Sequence, residues 1–187
     1  MAALDPPPCF MGGYAEDALL AGTVTRPHDD IDWVLPRREL AVRVAQAERL
    51  GFTGFETWGE ASRGEPFYLF ARNDDLRLEL GIADETDGAL LLKVHKLFFD
   101  VGAAAAPAGY QVYLPGDMFD FPSVELDGVA IHAASPLALY QMRVGIAQQG
   151  SFGPLSQRQL DSMSKLKEKF FPERSEVELV PRIERLT

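Results

Sequence analysis

Asp30 and Asp32 stand two residues apart in Asp30-Ile31-Asp32-Trp33-Val34-Leu35, a run that reads as a strand closed by Pro36. Residues i and i+2 of a strand share a face, which sets the two carboxylates about 6.5 Å apart. Two ionised carboxylates at that range repel one another unless a cation lies between them. Their hard oxygens suit Mg²⁺, which takes one or two carboxylates together with substrate phosphates. By spacing alone, the pair also reads as a solvated strand end, where acidic residues collect.

Gly12-Gly13 opens a segment with helical character, separated from Asp30 by sixteen residues. Glycine lets backbone approach a ligand closely, and the free N–H groups of a helix start favour phosphate. A plain turn would use the same two residues. Taken together, a Gly-Gly helix start and an Asp-x-Asp strand would let a phosphate cradle face a metal site. Arg26 and His28 lie between the two, where each either touches the phosphates or caps the loop.

These residues need elements to hold them. Residues 1–11 read as an irregular lead-in, because Pro6-Pro7-Pro8 excludes a helix interior or a central strand. A short helix over Tyr14 to Ala21 ends at Gly22, and a longer one over Arg37 to Leu50 ends at Gly51. Phe52 to Trp58 and Pro66 to Arg72 are aromatic-rich strands between turn residues. In Asp75-Leu76-Arg77-Leu78-Glu79-Leu80 the alternation is strict, with the leucines on one face and Arg77 and Glu79 on the other. Leu90 to Val101 is strand or buried helix, residues 102–109 are a low-complexity loop, and short strands fall near Val112 and over Val129 to His132. Ser135-Pro136 starts a helix running to about Ala147, and a second helix follows over Leu155 to Phe170. The tail from Pro172 is charged and interrupted by Pro181. The expectation is an α/β (α+β) fold. A mixed sheet flanked by helices would occupy residues 1–134, with a small C-terminal helical region over 135–187.

At this point the N-terminal segment resembles the DNA polymerase β-like nucleotidyltransferase superfamily, and within it the aminoglycoside and lincosamide nucleotidyltransferases. The likeness rests on Gly12, Gly13, Tyr14, Ala15 and Asp17, then Leu20 and Gly22, then Thr25, Arg26, His28, Asp30, Ile31 and Asp32. It is strong over residues 11–35 and loose over 75–82 and 126–161. It implies a nucleotidyltransferase-type sheet in which Asp30 and Asp32 hold Mg²⁺ and Gly12 and Gly13 hold the β- and γ-phosphates of ATP or another NTP. It also implies a third carboxylate on a later strand, as metal ligand or general base. Glu79 is the candidate, with Asp75 and Asp84 as fallbacks; the family residue is often Asp. Arg158-Gln159-Leu160-Asp161 looks like the family's basic-x-x-Asp helical motif, so Arg158, with Arg143 as the other candidate, would meet the triphosphate. Family members usually carry a full helix before the Gly-Gly strand, and only eleven residues precede Gly12 here. A missing buttress would leave room for a partner subunit, or weaken activity.

Composition narrows the partners. The 187 residues carry a net charge of −10. Residues 1–150 hold 11 basic and 22 acidic side chains, so the acidity belongs to the segment with the candidate site. Such a chain is unsuited to nucleic acid, which selects a basic face. It suits a cationic acceptor better, and a metal would be needed to hold a triphosphate. One cysteine, Cys9, excludes an internal disulfide framework, and beside prolines it reads as unreactive. No apolar run reaches the ~18 residues of a membrane span, and the N-terminus lacks signal-peptide character, so a cytoplasmic protein is expected.

Other residues read as structure. His95, His132 and Trp33 fit a core or sheet edge. Trp58, Phe67, Tyr68 and Phe70 fit either packing or an acceptor cleft. The Lys165, Lys167 and Lys169 run fits a solvated helix face. The expected activity is Mg²⁺-dependent transfer of a nucleoside monophosphate to a hydroxyl of a small molecule, with an aminoglycoside-like polycation leading. The alternatives are a toxin-type enzyme acting on protein or tRNA, and a homologue that binds nucleotide without catalysis.

Overall fold

The computed structural model describes residues 7–58, 66–86, 88–95, 109–149 and 155–185. The chain runs β1 (Cys9–Met11), α1 (Gly12–Leu20), β2 (Asp30–Pro36), α2 (Leu40–Arg49), β3 (Thr53–Trp58), β4 (Tyr68–Arg72), β5 (Arg77–Thr86) and β6 (Ala89–His95). It continues with β7 (Gly109–Pro115), β8 (Val124–Leu126), β9 (Val129–Ala133), α3 (Pro136–Gln149), α4 (Gln157–Phe170) and β10 (Arg182–Arg185). A short 3₁₀ turn, Arg37–Glu39, leads into α2. Of the stretch that reads as strand or buried helix, the described part is strand: Ala89–His95 is β6. Residues 96–108, with most of the low-complexity loop, lie outside the described residues.

Among the described residues the strands form one mixed sheet in the order β10-β7-β6-β5-β2-β1-β9-β8, with β4 and then β3 branching from β5. The ten-residue β5 makes the fork. Its first half pairs antiparallel with β4, and Ala83 to Thr86 pair with β6. Along Arg77 to Ala83 it also runs parallel to β2. Period-2 alternation then sorts the side chains. Trp33, Leu35, Leu78, Leu80 and Ile82 join Ala47 and Phe52 in one core, with Leu40 and Val44 of α2 packed against it. Val34, Ala83, Leu92 and Val112 face the other way and meet Ala15 and Leu19 of α1, Leu139 and Val144 of α3 and Leu166 of α4. The sheet is therefore a middle layer, which is how a mixed sheet buries both faces.

Two strands escape the sequence pattern. Cys9–Met11, inside the expected irregular lead-in, pairs antiparallel with β2 and parallel with β9 in the middle of the sheet. Three residues are too few to show alternation, and the prolines exclude only the positions up to Pro8. Arg182–Arg185, in the charged tail, adds to β7 at the sheet edge. Residues 135–187 are thus not helical throughout, and their helices share a core with the strands of residues 1–134.

The loop before β2 is held by the β8–β9 turn, and α1 is held by α4. Asp127-Gly128 makes the two-residue turn between β8 and β9, with φ of 49° and 79°. Both residues sit in the left-handed region that such hairpin turns require. Asp127 accepts hydrogen bonds from the Thr23 hydroxyl and from Val24 N at 3.2 Å, and donates its own N–H to Gly22 O. On the other side, α4 begins with a reciprocal cap in which Ser156 and Gln159 exchange side chain and backbone hydrogen bonds. Lys169 at its far end donates to Leu19 O of α1 at 2.8 Å, so one of the three lysines is a tether rather than bare surface.

Candidate active site

β2 and β5 carry the acidic residues into register. Asp32 pairs with Glu79 and Asp30 with Arg77 across the parallel ladder. The same alternation that buries Leu78 and Leu80 turns Asp30, Asp32 and Glu79 to the face beneath α3. There a cleft of about 140 Å³ is lined by Gly12, Glu16, Asp32, Tyr68, Glu79 and Arg143, with Leu92, Leu139 and Met142 among its apolar walls. The two fallback carboxylates are elsewhere. Asp75 is exposed in a turn organised by Asn73, and Asp84 pairs with Arg37.

Arg77 lies between two of the carboxylates. One of its Nη groups is 2.9 Å from Asp30 and 2.7 Å from Glu79. Tyr68 donates its hydroxyl to the other Glu79 oxygen at 3.3 Å. Burial, with repulsion from Asp30, nevertheless keeps Glu79 above the usual carboxylate range, against the pull of Arg77 and Tyr68. Asp32 is more strongly affected. Burial first, then the Glu79 and Asp30 carboxylates, push it up to about 8, against Arg143 and Arg77. Tyr68 is raised well above its ordinary value by burial and by the same carboxylates, so it stays a donor.

This surplus of negative charge is what a cation would relieve. The donor set consists of hard oxygens on adjacent strands, and its chemistry fits Mg²⁺. As the side chains stand, no group of three His, Cys, Asp or Glu among the described residues is arranged to hold an ion. A guanidinium already occupies the space between Asp30 and Glu79.

The glycine pair has a requirement the sequence did not reveal. Gly12 has φ of +66°, and a Cβ there would fall 1.9 Å from Asp32 Oδ2. A Cβ on Gly13 would fall 2.4 Å from the His28 ring and 2.8 Å from an Arg26 Nη. The close approach is therefore to the protein's own side chains, and it brings the start of α1 against Asp32. Asp17, further along α1, organises the intervening loop. Its carboxylate accepts from Thr25 N at 2.9 Å, Thr25 Oγ1 at 2.7 Å and His28 Nε2 at 2.9 Å. Burial would raise Asp17, but these bonds from His28 and Thr25 hold it below its ordinary value. His28 is 8% exposed and its ring lies 4.2 Å from Tyr14, so of its two expected roles the structure shows the loop cap. Arg26 bends over the start of α1 and donates to Pro27 O.

Of the two helical cations, Arg143 lines the cleft. Arg158 is exposed in the first turn of α4, four residues before Ser162 and so on the same helix face. Tyr68's bond to Glu79 and the Glu16 contact to Arg143 are not legible in the sequence as a pairing. The aromatic strand over Tyr68 was a signal for the first; the second joins residues 127 apart and has no local signal. Cys9 is buried and its thiol is pushed up to about 12, as unreactive surroundings demand. Trp33 is core at 3% exposed. The side chains of Trp58 and His95 lie outside the described residues.

No family model matches the chain, and no curated protein sequence matches it significantly. Solved structures do. The crystal structure of ANT(2'')-Ia in complex with adenylyl-2''-tobramycin superposes with a TM-score of 0.65 at 21% identity, over 92% of this chain and 84% of that one. The solution structure of the antibiotic-resistance factor ANT(2'')-Ia gives 0.62 at 22% identity, over 91% and 78%. The nucleotidyltransferase-type mixed sheet flanked by helices, expected from the sequence, is the fold this chain adopts.

Proposed function

We propose that this chain is a Mg²⁺-dependent nucleotidyltransferase that moves AMP from ATP to a hydroxyl of a small molecule. The observation that carries the reading is the register of Asp32 against Glu79, with Asp30 on the same face and Gly12 sealed against Asp32. Three carboxylates gathered beneath a helix cap serve no packing purpose, and their burial, with their mutual repulsion, is expressed in the raised Asp32. Asp30 and Asp32 would hold the metal, with Glu79 at its edge. When bound, Mg²⁺ would stabilise charge on the phosphate oxygens during an in-line displacement.

The chain's own groups supply the rest. The start of α1 at Gly12 and Gly13 presents backbone N–H groups near the metal ligands, with Arg26 beside them, and both favour phosphate. Arg158, at the edge of the helical side, is the candidate for the outer phosphates. Glu79 lies on the cleft wall with a raised affinity for protons, which suits a base that takes the proton of the attacking hydroxyl. The hydroxyl oxygen bonds the α-phosphorus, the bond to the bridging oxygen breaks, and pyrophosphate leaves. Tyr68 fixes the Glu79 carboxylate while it does so.

For the acceptor, an aminoglycoside-like polycation is favoured. The neighbouring fold is solved with an adenylylated tobramycin, and the net charge of −10 draws cations. Incubating the protein with labelled ATP, Mg²⁺ and a panel of aminoglycosides tests the reading. Labelled acceptor, lost with Asp30→Asn, supports it. Label on protein or tRNA alone would replace the acceptor class, and ATP binding with no label anywhere would leave a non-catalytic nucleotide binder.

A further inference from the structure

Gly81 has no backbone reason to be glycine: its φ lies outside the left-handed region. A glycine inside a strand weakens it, and commonly marks a place where a ligand or another backbone comes close. Gly81 follows Glu79 on the cleft face of β5 and pairs with Val34 of β2 and Tyr68 of β4. A Cβ there would stand 3.3 Å from Leu92 Cδ1 and 3.5 Å from Tyr68 Cε2, both of which line the cleft. That is close contact without gross overlap. What the missing side chain leaves is therefore a recess in the cleft floor.

The recess is apolar. Val34 and Leu92 are each 2% exposed, and Leu139 and Met142 of α3 line the same space. Glu16, the carboxylate on the helical side, is already taken. Arg143 Nε donates to its Oε1 and Ser162 Oγ to its Oε2, both at 2.8 Å. The remaining carboxylates, Asp32 and Glu79, are assigned to the metal and the proton. An ammonium group in the recess would give up its water with the Arg143 guanidinium on the cleft wall, which is costly. An adenine ring is no better placed, because its amino group and ring nitrogens would be buried unpaired. An uncharged alkyl or ring carbon surface fits. The whole cleft holds about 140 Å³, near the ~150 Å³ that admits benzene in an engineered apolar cavity.

Position decides which substrate supplies that surface. α1 starts where β1 meets Asp32, so the phosphates lie at that level. Gly81 pairs one step farther along the sheet, opposite Val34, and adjoins Glu79, which would take the proton of the acceptor hydroxyl. We propose that the recess at Gly81 receives an uncharged apolar part of the acceptor, no larger than a six-membered ring and next to the hydroxyl that reacts, and that Gly81 sets its size. The assignment rests on the nucleotidyl-transfer reading and narrows its acceptor. The cations of a polycation stay outside the cleft, and the part that enters is apolar.

The test uses the full chain with Mg²⁺, labelled ATP and the aminoglycosides that accept label. Cyclohexanol and myo-inositol are the probes of the recess, the same ring with one hydroxyl or with one on every carbon. Cyclohexanol should compete with the acceptor and not with ATP, and myo-inositol at the same concentration should not compete. Gly81→Ala fills the recess with one methyl group. It should raise the acceptor KM about 10-fold or more, the discrimination one carbon gives in an apolar pocket, with kcat lowered less and ATP affinity by calorimetry unchanged. It should also end competition by cyclohexanol. Adding Met142→Ala to Gly81→Ala reopens space from α3 and should restore both, which a merely structural defect would not allow. An unchanged acceptor KM in Gly81→Ala overturns the proposal, as does myo-inositol competing as well as cyclohexanol. A fall in ATP affinity with the acceptor KM unmoved would put the base in the recess and overturns it too. Should Gly81→Ala fail to fold, Met142→Phe narrows the same space from α3 and is held to the same outcomes. Failure of the parent reading looks different. Wild-type protein that labels no small molecule refutes both, whereas active wild type matched by Gly81→Ala refutes this assignment alone.

Discussion

Replacing Asp32 by asparagine should make the metal-free protein more stable at neutral pH while abolishing transfer. Asp32 ionises at 3.8 in the unfolded chain and at about 8 in the folded one. The folded state therefore holds the proton more tightly, and stability falls as pH rises between those two values, levelling off above the higher one. From about pH 4.5 to about pH 7.5 the loss is up to ~4 kcal/mol, at ~1.4 kcal/mol per unit. Side-chain relaxation and counterions cut this to roughly 2–4 kcal/mol, since effective dielectrics even at buried sites are high. Asparagine has the same shape and no such titration. For a chain of this size the gap between variant and wild type should widen by roughly 4–16 °C in melting temperature over that pH range. Thermal melts in EDTA at both pH values measure it, with the variant cancelling the titration of all other groups. Mg²⁺ should raise the wild-type melting temperature near neutrality and leave the variant unmoved. A gap that does not change with pH would refute the argument that clustered carboxylates strain this site.

Three further outcomes follow from the same geometry. Arg77→Met removes the guanidinium that competes for Asp30 and Glu79, so calorimetry should show tighter Mg²⁺ binding; weaker or equal binding would mean that Arg77 aligns the carboxylates instead. Gly12→Ala sets a Cβ 1.9 Å from Asp32 Oδ2 at a φ of +66°. It should cost about 3 kcal/mol or more in denaturant unfolding, whereas Gly88→Ala, at a φ of +70° in open space, should cost only ~1–2 kcal/mol. Ser156→Ala breaks the reciprocal cap of α4 and should lower stability by ~1 kcal/mol without changing kcat, because the cap lies outside the cleft.

How much of this was legible in the sequence depends on how local each feature is. Asp30, Asp32 and Glu79 were readable because alternation places them on strand faces within short windows. Their meeting was not, since the β2–β5 register joins residues 47 positions apart. That register is also what separates Glu79 from Asp75 and Asp84. Strands β1 and β10 were hidden for opposite reasons. Cys9–Met11 is too short to alternate, and Arg182–Arg185 carries charges that suit a sheet edge as well as a solvated tail. The glycine pair was visible as a special helix start, but its cause, the Asp32 carboxylate and the His28 ring pressed against it, is a tertiary contact. Asp17 and Thr25 stand out in the sequence only through the family resemblance. Their role is physical: they lock the loop that delivers Asp30 to the sheet.

A structure of the protein with Mg²⁺ and a non-hydrolysable ATP analogue decides whether Asp30 and Asp32 hold the metal. The metal should be bonded to oxygens of both Asp30 and Asp32 at ~2.1 Å, with Arg77 displaced from between Asp30 and Glu79 and the triphosphate running from that metal to the start of α1. A metal bound elsewhere, or Glu79 more than about 8 Å from it and so beyond any direct Mg²⁺–oxygen bond, would contradict the assignment.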